Sequence, residues 1–225
     1  MEKLYVFGDS IAKGVIYDEE KGRNVYTPNS FLKLFEAKTG ITIKNDSKFG
    51  CTAPIGAQKL QKAEEELTNY DSVLFEFGGN DCNFDWEQVA LHPDDTHECA
   101  TGLKQFYDTY TAMIAKVLEK GKKVILLNLP PIDDEKYFRW ISQGRCGENI
   151  LKWLGGSSRF IYNWHESYNC AVANIANAMN VTLVDIRTAF LQQRNYRDYL
   201  CLDGIHPNEK GHALIAEALT SAVAV

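Results

Sequence analysis

Short apolar runs alternate with longer stretches whose apolar residues recur every three or four positions. The runs are Leu4–Phe7, Ile41–Asn45, Ser72–Phe77, Lys123–Leu129 and Val181–Asp185. Each is strand-sized and bounded by Gly, Pro, Asn or Asp, so each reads as a buried strand. Between them lie helical patterns. The clearest is Leu103, Phe106, Tyr107, Tyr110, Ile114, Val117 and Leu118, which form one stripe that Gly121 stops. Phe31, Leu34 and Phe35 make another, with Gly40 as its stop, as do Leu60, Ala63 and Leu67. Tyr168, Val172, Ile175, Ala176 and Met179 share one face, and Pro207 opens an alanine-rich last helix. Strand and helix in alternation predict an α/β fold with three α/β/α layers around a doubly wound, parallel sheet of about five strands.

The intervening segments are less regular. Lys13 to Val25 is polar, and Thr27-Pro28 reads as an N-cap followed by proline at the first helical position. Cys82 to about His97 is an irregular polar segment. Residues 132–160 are rich in aromatics and glycine, and their length predicts a loop or lid. No repeat or linker divides the chain, so residues 1–225 are expected to form one domain.

The charge balance narrows the function. A formal net charge of −6 argues against a nucleic-acid surface and a polybasic membrane anchor. No apolar run approaches the ~18 residues of a membrane span, and no secretory signal is visible, so a cytoplasmic location is expected. The six cysteines contain no Cys-x-x-Cys pair and are expected to be free thiols. His92, His97, His165 and His212 read as surface or structural residues, and no His-Glu-x-x-His motif supports a zinc enzyme.

The chemistry gathers behind the strands. The first run stops on Gly8-Asp9-Ser10, which predicts a tight turn with Ser10 at or just before a helix start. Three more loops follow strands: Phe49-Gly50, Gly78-Gly79-Asn80-Asp81 and Asp203-Gly204-Ile205-His206. A parallel sheet puts such loops on one edge. A serine, a glycine amide, an asparagine amide and an Asp/His pair would then converge as the parts of a serine hydrolase. Ser10 is inert as a nucleophile until a base takes its proton, a task that suits His206. Asp203, three residues before His206, suits the orientation of the imidazole. The Ser10 N–H, the Gly50 N–H and the Asn80 amide are candidate donors to an oxyanion. The Gly-x-Ser-x-Gly elbow is absent, since positions 8 to 12 read Gly-Asp-Ser-Ile-Ala.

Gly8-Asp9-Ser10-Ile11, Gly50, Gly78-x-Asn80-Asp81 and Asp203-x-x-His206 together resemble the four blocks of the GDSL, or SGNH, hydrolases. They stand in the family's order across nearly the whole chain. The first block departs by reading Ile where the family pattern has Leu. The resemblance implies a flavodoxin-like three-layer fold and hydrolysis of acyl esters. It also implies Ser10, Asp203 and His206 as triad and Ser10, Gly50 and Asn80 as oxyanion donors. No metal or organic cofactor is called for. The expected partner is a small-molecule ester, short in its acyl chain, with an acetylated sugar as one form.

Two rival readings stand beside this one. Asp9, Asn80, Asp203 and His206 are also ligand types for a metal-dependent phosphoesterase. The tryptophans near the same edge would equally suit a non-catalytic carbohydrate-binding module on this fold.

Overall fold

The computed structural model describes residues 1–223. The chain runs β1 (Lys3–Gly8), α1 (Ser10–Lys13), β2 (Val15–Asp18), β3 (Arg23–Tyr26), α2 (Phe31–Thr39), β4 (Thr42–Asn45) and α3 (Ala53–Lys62). It continues through β5 (Ser72–Glu76), α4 (Trp86–Leu91), α5 (Leu103–Glu119), β6 (Lys123–Leu127), α6 (Asp134–Ile141) and α7 (Gly147–Trp153). The last elements are α8 (Arg159–Met179), β7 (Thr182–Val184), α9 (Ile186–Leu191) and α10 (Glu209–Val223).

Five strands form the main sheet in the order β4-β1-β5-β6-β7, and every pairing is parallel. In chain order those strands read 2-1-3-4-5, the flavodoxin-like arrangement. The α/β expectation is borne out. The strand order reverses between β1 and β5, which is where an open sheet leaves a crevice at its carboxyl ends.

Alternation along β1 shows how the two faces fill. Tyr5 and Phe7 join Phe75, Leu126, Leu60, Phe106, Tyr110, Val117 and Tyr168 on one side, under α3, α5 and α8. Leu4 and Val6 join Leu74, Ile125, Phe31, Phe35, Phe190 and Ile215 on the other, under α2, α9 and α10. Both faces are covered, so these strands read as continuous apolar runs. The α5 stripe buries Phe106, Tyr110, Met113, Ile114 and Val117. Each large side chain so buried contributes about 1.5–3 kcal/mol of transfer free energy.

The segments around the sheet depart from the sequence expectations. Val15–Tyr26 is an antiparallel hairpin of β2 and β3, not an irregular polar stretch. Thr27-Pro28 does not start a helix. Thr27 Oγ1 donates to Glu209 Oε1 at 2.7 Å and accepts from the Asn29 N–H, and α2 begins at Phe31 behind Ser30. Residues 82–97 contain α4, capped by Asp85 accepting from the N–H groups of Glu87 and Gln88.

Residues 132–160 carry α6, α7 and the start of α8 in place of a loop. Asp133 caps α6 by accepting from the Lys136 N–H. Trp86, Val89, Ile132, Tyr137, Ile141, Ile150, Leu154 and Ile161 then form a third apolar cluster. All six cysteines are free thiols. Among the described residues, no helix is long and apolar enough to cross a membrane.

Candidate active site

Ser10 is the first residue of α1, as the Gly-Asp-Ser turn predicts, and it is buried. Asp9 is the N-cap, with Oδ1 accepting from the Ile11 N–H at 2.8 Å. Beneath this turn lies Glu76, the last residue of β5 and fully buried. Its Oε2 accepts from the N–H groups of Asp9 and Ala12, both at 3.2 Å, while Oε1 has no partner among the described residues. Burial and the neighbouring Asp9 carboxylate push the Glu76 carboxyl well above the carboxylate range.

The loop after α9 brings Asp203 and His206 to the same place. Asp203 Oδ1 accepts from the backbone N–H groups of Ile205 and His206, each at 3.0 Å. Asp203 Oδ2 lies 2.6 Å from His206 Nδ1, and His206 Nε2 lies 2.9 Å from Ser10 Oγ. The consistent tautomer has Nδ1–H donating to Asp203 and Nε2 accepting from the serine hydroxyl. Burial raises the Asp203 carboxyl, but the His206 ring, its charge and the two backbone donors outweigh that and hold it below its ordinary value.

This loop needs Gly204. Its φ is +78°, and a Cβ there would stand 2.7 Å from the Asp133 carbonyl oxygen. The close approach is held by the Asp133 N–H donating to the Gly204 carbonyl at 2.8 Å. The helix N-terminal region of α6 thus fixes the Asp203–His206 turn.

Asn80 follows β5 and donates its side-chain amide to Asp9 Oδ2 at 2.8 Å. One amide hydrogen is used there and the other is left for a ligand. Asp81 is a structural neighbour: its Oδ1 accepts from the Ala53 N–H at the start of α3, and burial pushes its carboxyl up to about 7. Phe49 stacks on the His206 ring, with centroids 6.1 Å apart. Gly50, next along, is exposed, with φ +70° and open space where a Cβ would point. A φ of this sign favours glycine whatever the space around it.

Ser10, Asn80, Asp203 and His206 meet at one cavity of about 340 Å³, and of the Phe49-Gly50 pair only Phe49 lines it. Phe84, Trp86, Tyr137, Trp140 and Trp164 supply much of the wall. Asn83 Oδ1 accepts from Tyr137 O–H at 2.7 Å and from Trp86 Nε1–H at 2.8 Å, which fixes two of those rings. His165, expected to be a surface or structural residue, also faces this cavity. Among the described residues, no group of three or more His, Cys, Asp or Glu side chains is placed to hold a metal ion. Asp9 turns to Ile11 and Asn80 instead, and Asp203 to His206.

Solved structures share this architecture. A lipase/acylhydrolase from Enterococcus faecalis superposes with a TM-score of 0.68 at 20% identity, over 98% of this chain and 94% of that one. An acetylxylan esterase from Geobacillus stearothermophilus gives 0.63 at 20% identity, over 98% and 93%. A psychrotrophic esterase from a Pseudoalteromonas species gives 0.63 at 17% identity, over 100% and 97%. No curated protein matches the sequence. The GDSL-like lipase/acylhydrolase family matches residues 6–214, nearly the whole chain and all four motif blocks. The chain belongs to that family of ester hydrolases.

Proposed function

We propose that the protein hydrolyses short acyl esters, with acetyl esters of carbohydrates as its main substrates, through an acyl-enzyme on Ser10. The observation that carries this reading is the chain of contacts from Ser10 Oγ through His206 to Asp203, at 2.9 and 2.6 Å. Ser10 Oγ attacks the ester carbonyl carbon as His206 Nε2 takes the hydroxyl proton. Asp203 holds the Nδ1–H and stabilises the imidazolium that forms. The tetrahedral oxyanion is met by the Ser10 N–H, the free hydrogen of the Asn80 amide and the Gly50 N–H. His206 then passes its proton to the departing alcohol oxygen. Water adds to the acyl-enzyme with the same histidine as base, and the acid is released.

The size and lining of the cavity support the substrate class. About 340 Å³ suits a small ester, and tryptophan and tyrosine walls suit the apolar faces of a sugar ring. The likeness to an acetylxylan esterase agrees with this choice.

A panel of p-nitrophenyl esters from acetate to decanoate, with and without EDTA, tests the reading. The expected kcat/KM is greatest for acetate, falls with chain length and is insensitive to the chelator. A maximum at the long chains would overturn the substrate class. Loss of all turnover to EDTA would favour a metal-dependent phosphoesterase, and no turnover of any ester would favour a carbohydrate-binding module.

A further inference from the structure

The Phe49 ring stacks on the imidazole of the proposed base, with its plane only 22° from that of His206. It lines the cavity that holds Ser10, yet 49% of the residue stays exposed, while His206 is buried. The backbone fixes it there. Phe49 and Gly50 are the central residues of a turn closed by the Cys51 N–H donating to the Lys48 carbonyl at 3.1 Å. A positive φ at the third position of such a turn is a place for glycine, and Gly50 has +70°. The Lys48 N–H in turn donates to the Gly8 carbonyl at 3.1 Å, just ahead of Asp9 and Ser10. An apolar ring is thus held at the rim of the cavity, against the base and within reach of a ligand.

The chemistry proposed above says which part of a substrate would meet that ring. His206 Nε2 takes the Ser10 proton and then gives it to the departing alcohol oxygen. The alcohol must therefore leave along the His206 side of the cavity. The acyl group stays on Ser10, with its oxygen toward the Ser10 N–H and the Asn80 amide. A single exposed apolar residue is ordinary on a protein surface. One stacked on the group that protonates the alcohol is placed to select that alcohol. A flat aromatic face is electron-rich and suits the C–H face of a sugar ring. The hydroxyls around the edge of the sugar would remain in water at the half-exposed rim.

We infer that Phe49 is a specificity residue, the platform on which the sugar of the ester lies while His206 protonates its departing oxygen. The inference rests on the esterase reading proposed above. It adds that the alcohol half of the substrate is selected at the Phe49-Gly50 turn, apart from any selection of the acyl half.

The test compares two acetates that differ only in the alcohol: methyl 2-O-acetyl-β-D-xylopyranoside and methyl acetate, whose alcohol is too small to lie across a ring. The quantity read is the ratio of their kcat/KM values in the native enzyme, Phe49→Ala and Phe49→Tyr. The ratio is expected to favour the xyloside in the native enzyme and to fall by roughly tenfold in Phe49→Ala, the upper end of what one aromatic contact supplies. Phe49→Tyr keeps the ring and should recover most of the loss. The preference for p-nitrophenyl acetate over p-nitrophenyl butyrate should be the same in all three proteins, because the acyl half does not meet Phe49. The ratios decide even where Phe49→Ala is less stable, since a structural defect or a displaced His206 lowers both rates alike. An unchanged alcohol ratio in Phe49→Ala, or an acyl preference that moves with it, would overturn the inference and leave the esterase standing. No turnover of any ester by the native enzyme would overturn both.

Discussion

The Asn80 side-chain amide donates to Asp9 Oδ2 at 2.8 Å, so the residue before the proposed nucleophile also aims a proposed oxyanion donor. The other carboxylate oxygen of Asp9 caps α1. Asp9→Ala should therefore do two things at once. Loss of the cap should lower stability by about 1 kcal/mol, or roughly 2–4 °C in Tm. Release of Asn80 should lower kcat by about tenfold or more with little change in KM. Calorimetry and steady-state kinetics on p-nitrophenyl acetate check both, and a change in Tm alone would show that Asp9 serves only as a cap.

Glu76 makes a pH-dependent prediction. Its carboxyl is held well above the ordinary value of 4.5, first by burial and then by Asp9. The folded chain thus binds this proton more tightly than the unfolded chain. Its stabilising effect is complete below 4.5 and is lost as pH rises toward the folded value. Glu76→Gln keeps the shape and has no proton to lose. Urea unfolding at pH 4.5 and pH 8 should show the variant gaining on the native protein at the higher pH. A difference that does not move with pH would contradict a proton on Glu76.

Asp203 carries the opposite sign. It is held below its ordinary value of 3.8, despite its burial, by His206 and two backbone donors. That stabilisation is present at neutral pH and is lost as pH falls below 3.8 through the folded value. Asp203→Asn should be less stable at pH 7, with the deficit shrinking in acid. Its kcat should fall by about 10³–10⁴, because the amide favours the wrong imidazole tautomer. Denaturant unfolding across pH and ester kinetics test the two statements separately.

The Gly204 turn should tolerate no side chain. Gly204→Ala would force an L residue to φ +78° and set its Cβ 2.7 Å from the Asp133 carbonyl. A destabilisation of about 1–3 kcal/mol is expected, together with lower activity as Asp203 and His206 shift. Gly121→Ala is the control, since it shares a positive φ of +68° but meets no atom within 4 Å. Equal losses in the two variants would mean that strain alone, not the contact with α6, sets the cost.

Two of the site residues were legible in the sequence because their position follows from a strand end. Ser10 and Asn80 follow β1 and β5 directly, whereas the Asp203–His206 pair, expected behind a strand, follows α9 and reaches the same cavity from there, so its motif spacing and not a strand end made it legible. The long α5 stripe was legible because its period persists over many turns. The β2–β3 hairpin was hidden because its strands are short and mostly half-exposed or exposed, which leaves no apolar run to read. The helices within 132–160 are also short, and their apolar residues face a local cluster rather than the sheet. Their start was nonetheless signalled by Asp133-Asp134-Glu135 after two prolines, an acidic first turn. His165 had a signal too. It stands three residues before Tyr168, on the apolar stripe of α8, where a polar residue is out of place. Gly50 matched the family's second block, yet its positive φ depends on a turn that sequence alone does not specify.

The nucleophile is the claim on which the rest depends, and covalent labelling tests it most directly. A fluorophosphonate requires an activated serine beside an oxyanion site, the arrangement proposed at Ser10, His206 and Asn80. Peptide mass spectrometry of the labelled native protein should place one adduct on the peptide that contains Ser10. The adduct and the hydrolysis of p-nitrophenyl acetate should both vanish in Ser10→Ala, and labelling should slow sharply in His206→Ala. An adduct on another residue, or ester turnover that survives in Ser10→Ala, would contradict the account.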